Sequence, residues 1–238
     1  MKPGTLYGIG VGPGDPELIT LKAVRILNKV EVIFAAASSK NEYSLALENA
    51  ESHMQNGAEV VRLNFPMTRH RNKLEKAWEE NAHRILEYVQ QGKDVAFITI
   101  GDPLTYSTFG YIMQTVGEIA PEVPICVVPG ITSYQAATAV AREVMAEQEQ
   151  TFCVISGSQG GERLRDVISR VDCVVMLKVY NHLDQILDTL KELGIEGQAT
   201  LVSRCGMKNQ VISRNPEELR GKIIPYLSLM IVKKGKCK

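Results

Sequence analysis

Asp94-Val95-Ala96-Phe97-Ile98-Thr99-Ile100-Gly101-Asp102-Pro103 is the stretch on which the fold class turns. From Val95 to Ile100 it is apolar at nearly every position, with no alternation between apolar and polar residues. A strand with one wet face must alternate, whereas a strand covered on both faces need not, and the second case belongs to parallel sheets flanked by helices. The run ends at Gly101-Asp102-Pro103, a loop signal, and a helix is expected from about Ser107.

The same grammar repeats on either side. Upstream, Thr5–Ile9 reads as a strand that ends in Gly10-Val11-Gly12-Pro13-Gly14-Asp15-Pro16. A helix is expected next, with Leu18, Leu21, Val24, Ile26 and Leu27 on one broad apolar face. Glu31–Ala36 and Ala58–Leu63 read as strands, and 44–54 and 72–91 as helices, the longer one stopped by Gly92. Downstream, Val123–Val128 is a short apolar strand closed by Pro129-Gly130, with a helix after it. Beyond the polar stretch 143–150 the chain begins again, with strands at 151–156, 172–178, 198–204, 210–213 and 226–233 and an amphipathic helix at 182–193. The later strands have short connections, so this half is expected to hold a mixed sheet. The pattern predicts an α/β protein of two α/β domains, 1–130 with a mostly parallel sheet and 131–238 with a mixed one.

Bulk composition narrows the function classes. The chain has 238 residues, 27 Lys+Arg against 27 Asp+Glu, and is 45% hydrophobic. That apolar content excludes a disordered protein, and zero net charge gives no sign of a dedicated nucleic-acid binder. The five cysteines (126, 153, 173, 205 and 237) form no Cys-x-x-Cys pair and are odd in number, which favours reduced thiols over a disulfide framework. The start carries one Lys and then a strand-like run, so no signal peptide is expected, and no apolar window is long enough to span a membrane. A cytoplasmic protein is the expectation. His53, His70, His83 and His182 share no ligand spacing, so no metal site is expected.

The glycine loop fails the nucleotide fingerprints. In Gly-x-Gly-x-x-Gly the sixth position would be Pro13 or Asp15, and no Lys follows Gly14 before Lys22. The loop is either part of a ligand crevice or a tight turn with Asp15 as helix cap. Open parallel sheets bind ligands beyond the carboxyl ends of their strands. Asp102 sits at such an end, free to meet an amine or hydroxyl or else to cap the turn before Pro103. Thr132 and Ser133 sit at another. Three loops of Gly, Pro and small polar residues would line one small-molecule site.

Taken in order, Gly8-Ile9-Gly10-Val11-Gly12-Pro13-Gly14-Asp15-Pro16, Gly101-Asp102-Pro103 and Val128-Pro129-Gly130-Ile131-Thr132-Ser133 resemble the motifs of the tetrapyrrole methylase family, the class III S-adenosylmethionine-dependent methyltransferases. The resemblance extends over essentially the whole chain, including 174–179 and 229–232. Asn64-Phe65-Pro66-Met67-Thr68-Arg69, the stretch 101–111 and Ser133–Ala137 are similar to the branch that methylates C20 of precorrin-2 or its cobalt form in vitamin B12 synthesis. The resemblance implies a homodimer of two-domain subunits, the active cleft lying between the domains, with a small tetrapyrrole substrate and neither nucleic acid nor membrane as partner. It implies that Ile100, Gly101, Asp102, Thr105, Thr132 and Ser133 contact the methionine part of S-adenosylmethionine, and Leu177, Gly206 and Ser228 its adenine side. Pro13, Asp15, Arg69, Tyr106 and Tyr111 would face the tetrapyrrole. No residue is assigned as catalytic base. The other readings are methylation at C11 or C17 of a later corrinoid, a diphthamide or ribosomal RNA substrate, and a non-catalytic ligand-binding protein.

Overall fold

In the computed structural model, residues 2–38, 44–55, 57–66, 68 and 70–235 are described, and Arg69 and Cys237 lie outside them. The chain divides into two compact units, 1–133 and 134–238.

The first unit is built on a parallel sheet of β1 (Leu6–Gly10), β2 (Val32–Ser38), β3 (Glu59–Phe65), β4 (Val95–Thr99) and β5 (Ile125–Val128), in the order β3-β2-β4-β1-β5. All five residues of β4 are buried, as its unbroken apolar run predicts. Its neighbours show why both faces are dry. Leu6, Phe34 and Phe97 point to one side, against Ile85, Leu86 and Val89 of α3 (Arg71–Val89) and Ile112 and Val116 of α4 (Phe109–Ile119). Ile9, Ile33, Ala35 and Ile98 point to the other, against Ala23 and Leu27 of α1 (Leu21–Leu27) and Ala46 and Ala50 of α2 (Leu45–Glu51). Each fully buried Phe or Ile contributes about 1.5–3 kcal/mol relative to exposure.

The first helix departs from the sequence expectation. Asp15 caps only a short 3-10 turn at Pro16–Leu18, accepting the Glu17 N–H, and α1 begins after a second cap, Thr20, whose hydroxyl accepts the Ala23 N–H. The break re-phases the helix, so its buried line is Ala23 and Leu27, while Leu21 is 81% exposed. A single helix drawn through 18–27 therefore put Leu21 on the wrong face.

The second unit is a mixed sheet of β6 (Phe152–Ser156), β7 (Cys173–Leu177), β8 (Ala199–Ser203), β9 (Val211–Ser213) and β10 (Ser228–Lys233), ordered β6-β7-β10-β8-β9. β6 and β7 are parallel; β10 runs antiparallel between β7 and β8. It is preceded by α5 (Ser133–Ala141), and α6 (Glu162–Ile168) and α7 (Leu183–Glu192) cover one face of the sheet. Leu164, Ile168, Ile186 and Leu190 meet Val174, Met176 and Met230 there. Gly194, at φ +65°, ends the turn after α7, with the Ile195 N–H returning to the Leu190 carbonyl at 3.0 Å. Helix α6 was not anticipated, because only Leu164 and Ile168 of its seven residues are buried and that is too short a pattern to read.

The four described cysteines are free, and burial pushes the Cys173 thiol up to about 11, which leaves it protonated and inert at neutral pH. No helix among the described residues is long and apolar enough to cross a membrane.

Candidate active site

β4, β1 and β5 are adjacent and parallel, so their carboxyl ends present three loops side by side. The connection from β1 leaves toward β2 and that from β4 toward β5, on opposite sides of the pair. This is the topological switch point at which open α/β sheets hold their ligands.

The three loops touch through bare backbone. A Cβ on Gly10 would lie 2.5 Å from the Gly101 carbonyl oxygen and 2.7 Å from the Gly130 nitrogen, and one on Gly130 would lie 2.1 Å from the same carbonyl. The Gly101 N–H donates to the Gly12 carbonyl at 2.7 Å, closing a bridge between the first and second loops. Gly101 is held at φ +71°, and on its own Cβ side the nearest atom is the Ile131 oxygen at 4.0 Å. Glycine is thus required by contact at Gly10 and Gly130, and by conformation at Gly101.

Asp102 ties the second loop to the third. Its Oδ1 accepts the Leu104 N–H at 2.9 Å and the Thr105 hydroxyl at 3.1 Å, and its Oδ2 accepts the Gly130 N–H at 3.2 Å. The Asx turn that the sequence allowed is present, and the other carboxylate oxygen reaches past the end of β1 to the loop that follows β5. Because Thr105 spends its one proton on Asp102, its oxygen faces any ligand as an acceptor only. Nearby, the Thr99 and Ser107 hydroxyls are 3.0 Å apart, and Ser107 accepts the Phe109 N–H at the start of α4.

The remaining sequence-derived residues of this unit are more scattered. Ile100 is half-buried, Thr132 buried and Ser133 half-buried at the third loop. Pro13 is buried and Asp15 half-buried in the first loop, whose Val11 carbonyl is gripped by the Asn49 amide of α2. Tyr106 is 53% exposed at φ +52°. Tyr111, one residue from the middle of the first turn of α4, stacks on Trp78 of α3 with centroids 4.1 Å apart and rings 4° from parallel. That stack lines a groove of about 340 Å³ together with Glu75, Glu79 and Glu118. The sequence offered no sign of this pairing, since Trp78 and Tyr111 are far apart in the chain.

In the second unit, Leu177, Gly206 and Ser228 gather at one edge of the mixed sheet. Leu177 lies opposite Leu229, Ser228 opposite Ser203, and Gly206 is in the turn after β8 at φ +76°. The Ser228 hydroxyl donates to the Pro225 carbonyl at 2.6 Å, so the 2.7 Å contact between Ser203 and Ser228 must carry the Ser203 proton. Ser203 was missed at the sequence level; only the register of β8 against β10 reveals it. Tyr180 and Tyr226 meet edge to face at 4.9 Å, and burial together with Tyr180 raises the Tyr226 phenol above its ordinary range. Among the described residues no group of three or more His, Cys, Asp or Glu side chains is placed to hold a metal ion.

Comparison with known proteins agrees with this geometry. The family model for Tetrapyrrole (Corrin/Porphyrin) Methylases matches residues 5–219. The chain is 32% identical to the cobalt-precorrin-2 C(20)-methyltransferase of Salmonella typhimurium over 97% of both chains. It is 34% identical to the probable cobalt-precorrin-2 C(20)-methyltransferase of Methanocaldococcus jannaschii, over 97% of this chain and 96% of that one. Among solved structures, the uroporphyrin-III C-methyltransferase of Thermus thermophilus complexed with S-adenosylhomocysteine superposes with a TM-score of 0.70 at 24% identity, covering 97% of this chain and 92% of that one. The chain belongs to the tetrapyrrole methylase family, whose members are S-adenosylmethionine-dependent methyltransferases. The resemblance noted in the sequence motifs is thereby established, and so is the α/β fold with one parallel and one mixed sheet.

Proposed function

We propose that this enzyme transfers a methyl group from S-adenosylmethionine to C20 of precorrin-2 or its cobalt complex, a step of cobalamin biosynthesis. The observation that carries the proposal is the likeness to two C20 enzymes along nearly the full length of every chain compared. The glycine-lined loop edge fits the donor: it offers backbone and acceptor groups at close range and holds no phosphate-binding Lys. We further propose that it works in the cytoplasm as a homodimer, as the family resemblance implies.

S-adenosylmethionine, when bound, supplies an electrophilic sulfonium methyl. The chain's own work is to hold and orient. Thr105 presents an acceptor suited to the ammonium of the methionine part, and Asp102 keeps that hydroxyl turned. Ile100, Gly101, Thr132 and Ser133 complete this end, with no side chain at Gly101 to crowd it. In the second unit Leu177, Gly206 and Ser228 take the adenine. Asp15, Tyr106 and Tyr111 are assigned to the tetrapyrrole, as are Pro13 and Arg69. Fixing two reactants in line accounts for up to about 7–11 kcal/mol of barrier lowering in favourable cases. No base is assigned, because Asp15, Asp102, a tyrosine or water could each take the proton from the methylated carbon.

The test is incubation with methyl-labelled donor and precorrin-2, with and without cobalt, followed by mass spectrometry and carbon-13 NMR of the product. One added methyl at C20 is expected. Label appearing at C11 or C17, or not at all, would refute the proposal.

A further inference from the structure

The first loop is held at both of its stems from α2. The Asn49 amide donates to the Val11 carbonyl. Four residues on, just past the end of α2, His53 Nε2 donates to the Pro16 carbonyl at 2.9 Å, alongside the Ile19 N–H at 3.3 Å. A carbonyl can only accept, so Nε2 carries a proton whichever charge the ring has. The support behind His53 is firm. Asn28, the cap that ends α1, donates its amide to the His53 carbonyl at 2.7 Å and the Val24 carbonyl at 2.9 Å, and its Oδ1 accepts the Gln55 N–H at 2.8 Å.

Asn49 is 4% exposed, on a helix whose other buried residues are Ala46 and Ala50. A buried amide costs free energy unless it is hydrogen-bonded, and an apolar side chain there would avoid that cost. An apolar side chain would not fix the Val11 carbonyl, which belongs to a fully buried residue just beyond the end of β1. The polar choice thus serves the loop. The Gly101 N–H adds a third tie, at the Gly12 carbonyl. Pro13-Gly14-Asp15 is the tip left between the ties, with Gly14 at φ +145°. The bonds that Asp15 accepts come from Glu17 and Leu18, close by in the chain. Where the tip stands beyond the sheet is therefore decided at Val11, Gly12 and Pro16.

We propose that Asn49 and His53 are positioning residues for the tetrapyrrole: through the Val11 and Pro16 carbonyls they hold Pro13 and Asp15 where the macrocycle meets them. Both act through the loop. The inference rests on the proposed assignment of Pro13 and Asp15 to the tetrapyrrole, and the experiment separates the two.

Asn49→Leu, His53→Ala, His53→Gln and Asp15→Asn are compared with wild type. Fluorescence quenching follows binding of uroporphyrin, a stable octacarboxylate tetrapyrrole, and calorimetry follows S-adenosylhomocysteine. Thermal unfolding checks that each variant is folded at the titration temperature; His53 is half-buried and outside the helix, so its variants carry the test if Asn49→Leu does not fold. Asn49→Leu and His53→Ala should each bind uroporphyrin about tenfold more weakly, the fold-change that one hydrogen bond implies, with S-adenosylhomocysteine affinity unchanged. His53→Gln, whose amide nitrogen reaches the place of Nε2, should restore most of the loss. A merely structural role would lower both affinities together and would not distinguish Gln from Ala. Undiminished uroporphyrin affinity in Asn49→Leu and His53→Ala overturns the inference, as does an equal loss for the two ligands or a failure of Gln to rescue. Asp15→Asn tests the parent assignment, since it keeps an accepting cap and removes the charge. Unaltered uroporphyrin affinity in that variant, or wild type that does not bind uroporphyrin, overturns the assignment and this inference with it. An altered affinity there, with Asn49→Leu and His53→Ala binding as wild type, overturns the positioning role alone.

Discussion

Asp102 shows how far a single residue can be read before and after its neighbours are known. Its place after an apolar strand marks it as a site residue, and its Asx turn is foreseeable from the proline that follows. Its bond to the Gly130 N–H is not, because that contact depends on β1 separating β4 from β5 by one strand width. Asp102→Asn keeps one accepting oxygen but sets an NH2 against an N–H, so one of the three bonds must fail. Affinity for S-adenosylhomocysteine should fall about tenfold, the cost of one charge-assisted hydrogen bond, and further in Asp102→Ala. Isothermal titration that gives wild-type affinity for both variants would show the carboxylate to be dispensable for the donor site.

At the scale of elements, the legible parts are those whose pattern is long or continuous. β4, β1 and β2 are buried on both faces and read directly as strands; α7 repeats its apolar residues over ten positions and reads directly as a helix. Short elements fail for want of signal. α6 has one buried i, i+4 pair, and α1 is re-phased by a second cap that looks, in sequence, like any other Thr. The site divides the same way. The glycine and aspartate loops are local strings, whereas Ser203 acquires meaning only from the register of β8 against β10. The α1 correction has a measurable consequence. Leu21→Lys should change stability by no more than about 0.5 kcal/mol, as expected for an exposed position. Leu27→Ala should cost about 2–5 kcal/mol through the cavity it leaves. Urea unfolding midpoints decide between this face and the one that the helical pattern of 18–27 suggested.

For the whole molecule, 27 basic and 27 acidic residues cancel, yet the proposed substrate is a polyanion. Attraction must then come from a few cations placed locally, and its range is set by the Debye length, about 10 Å at 0.1 M salt. The KM for the tetrapyrrole should rise several-fold as salt increases from low to high ionic strength, while the KM for S-adenosylmethionine stays nearly level. Equal salt dependence of the two would mean that the cations serve the donor. The meeting of Gly10, Gly101 and Gly130 has a genetic consequence as well. Where two side chains clash, a second mutation can trim the partner and restore the fit. Here an added methyl strikes a main-chain carbonyl, and no codon shortens a main chain. Lesions at Gly10 or Gly130 should therefore yield true revertants under selection for cobalamin synthesis, and no intragenic suppressors at the contacting positions.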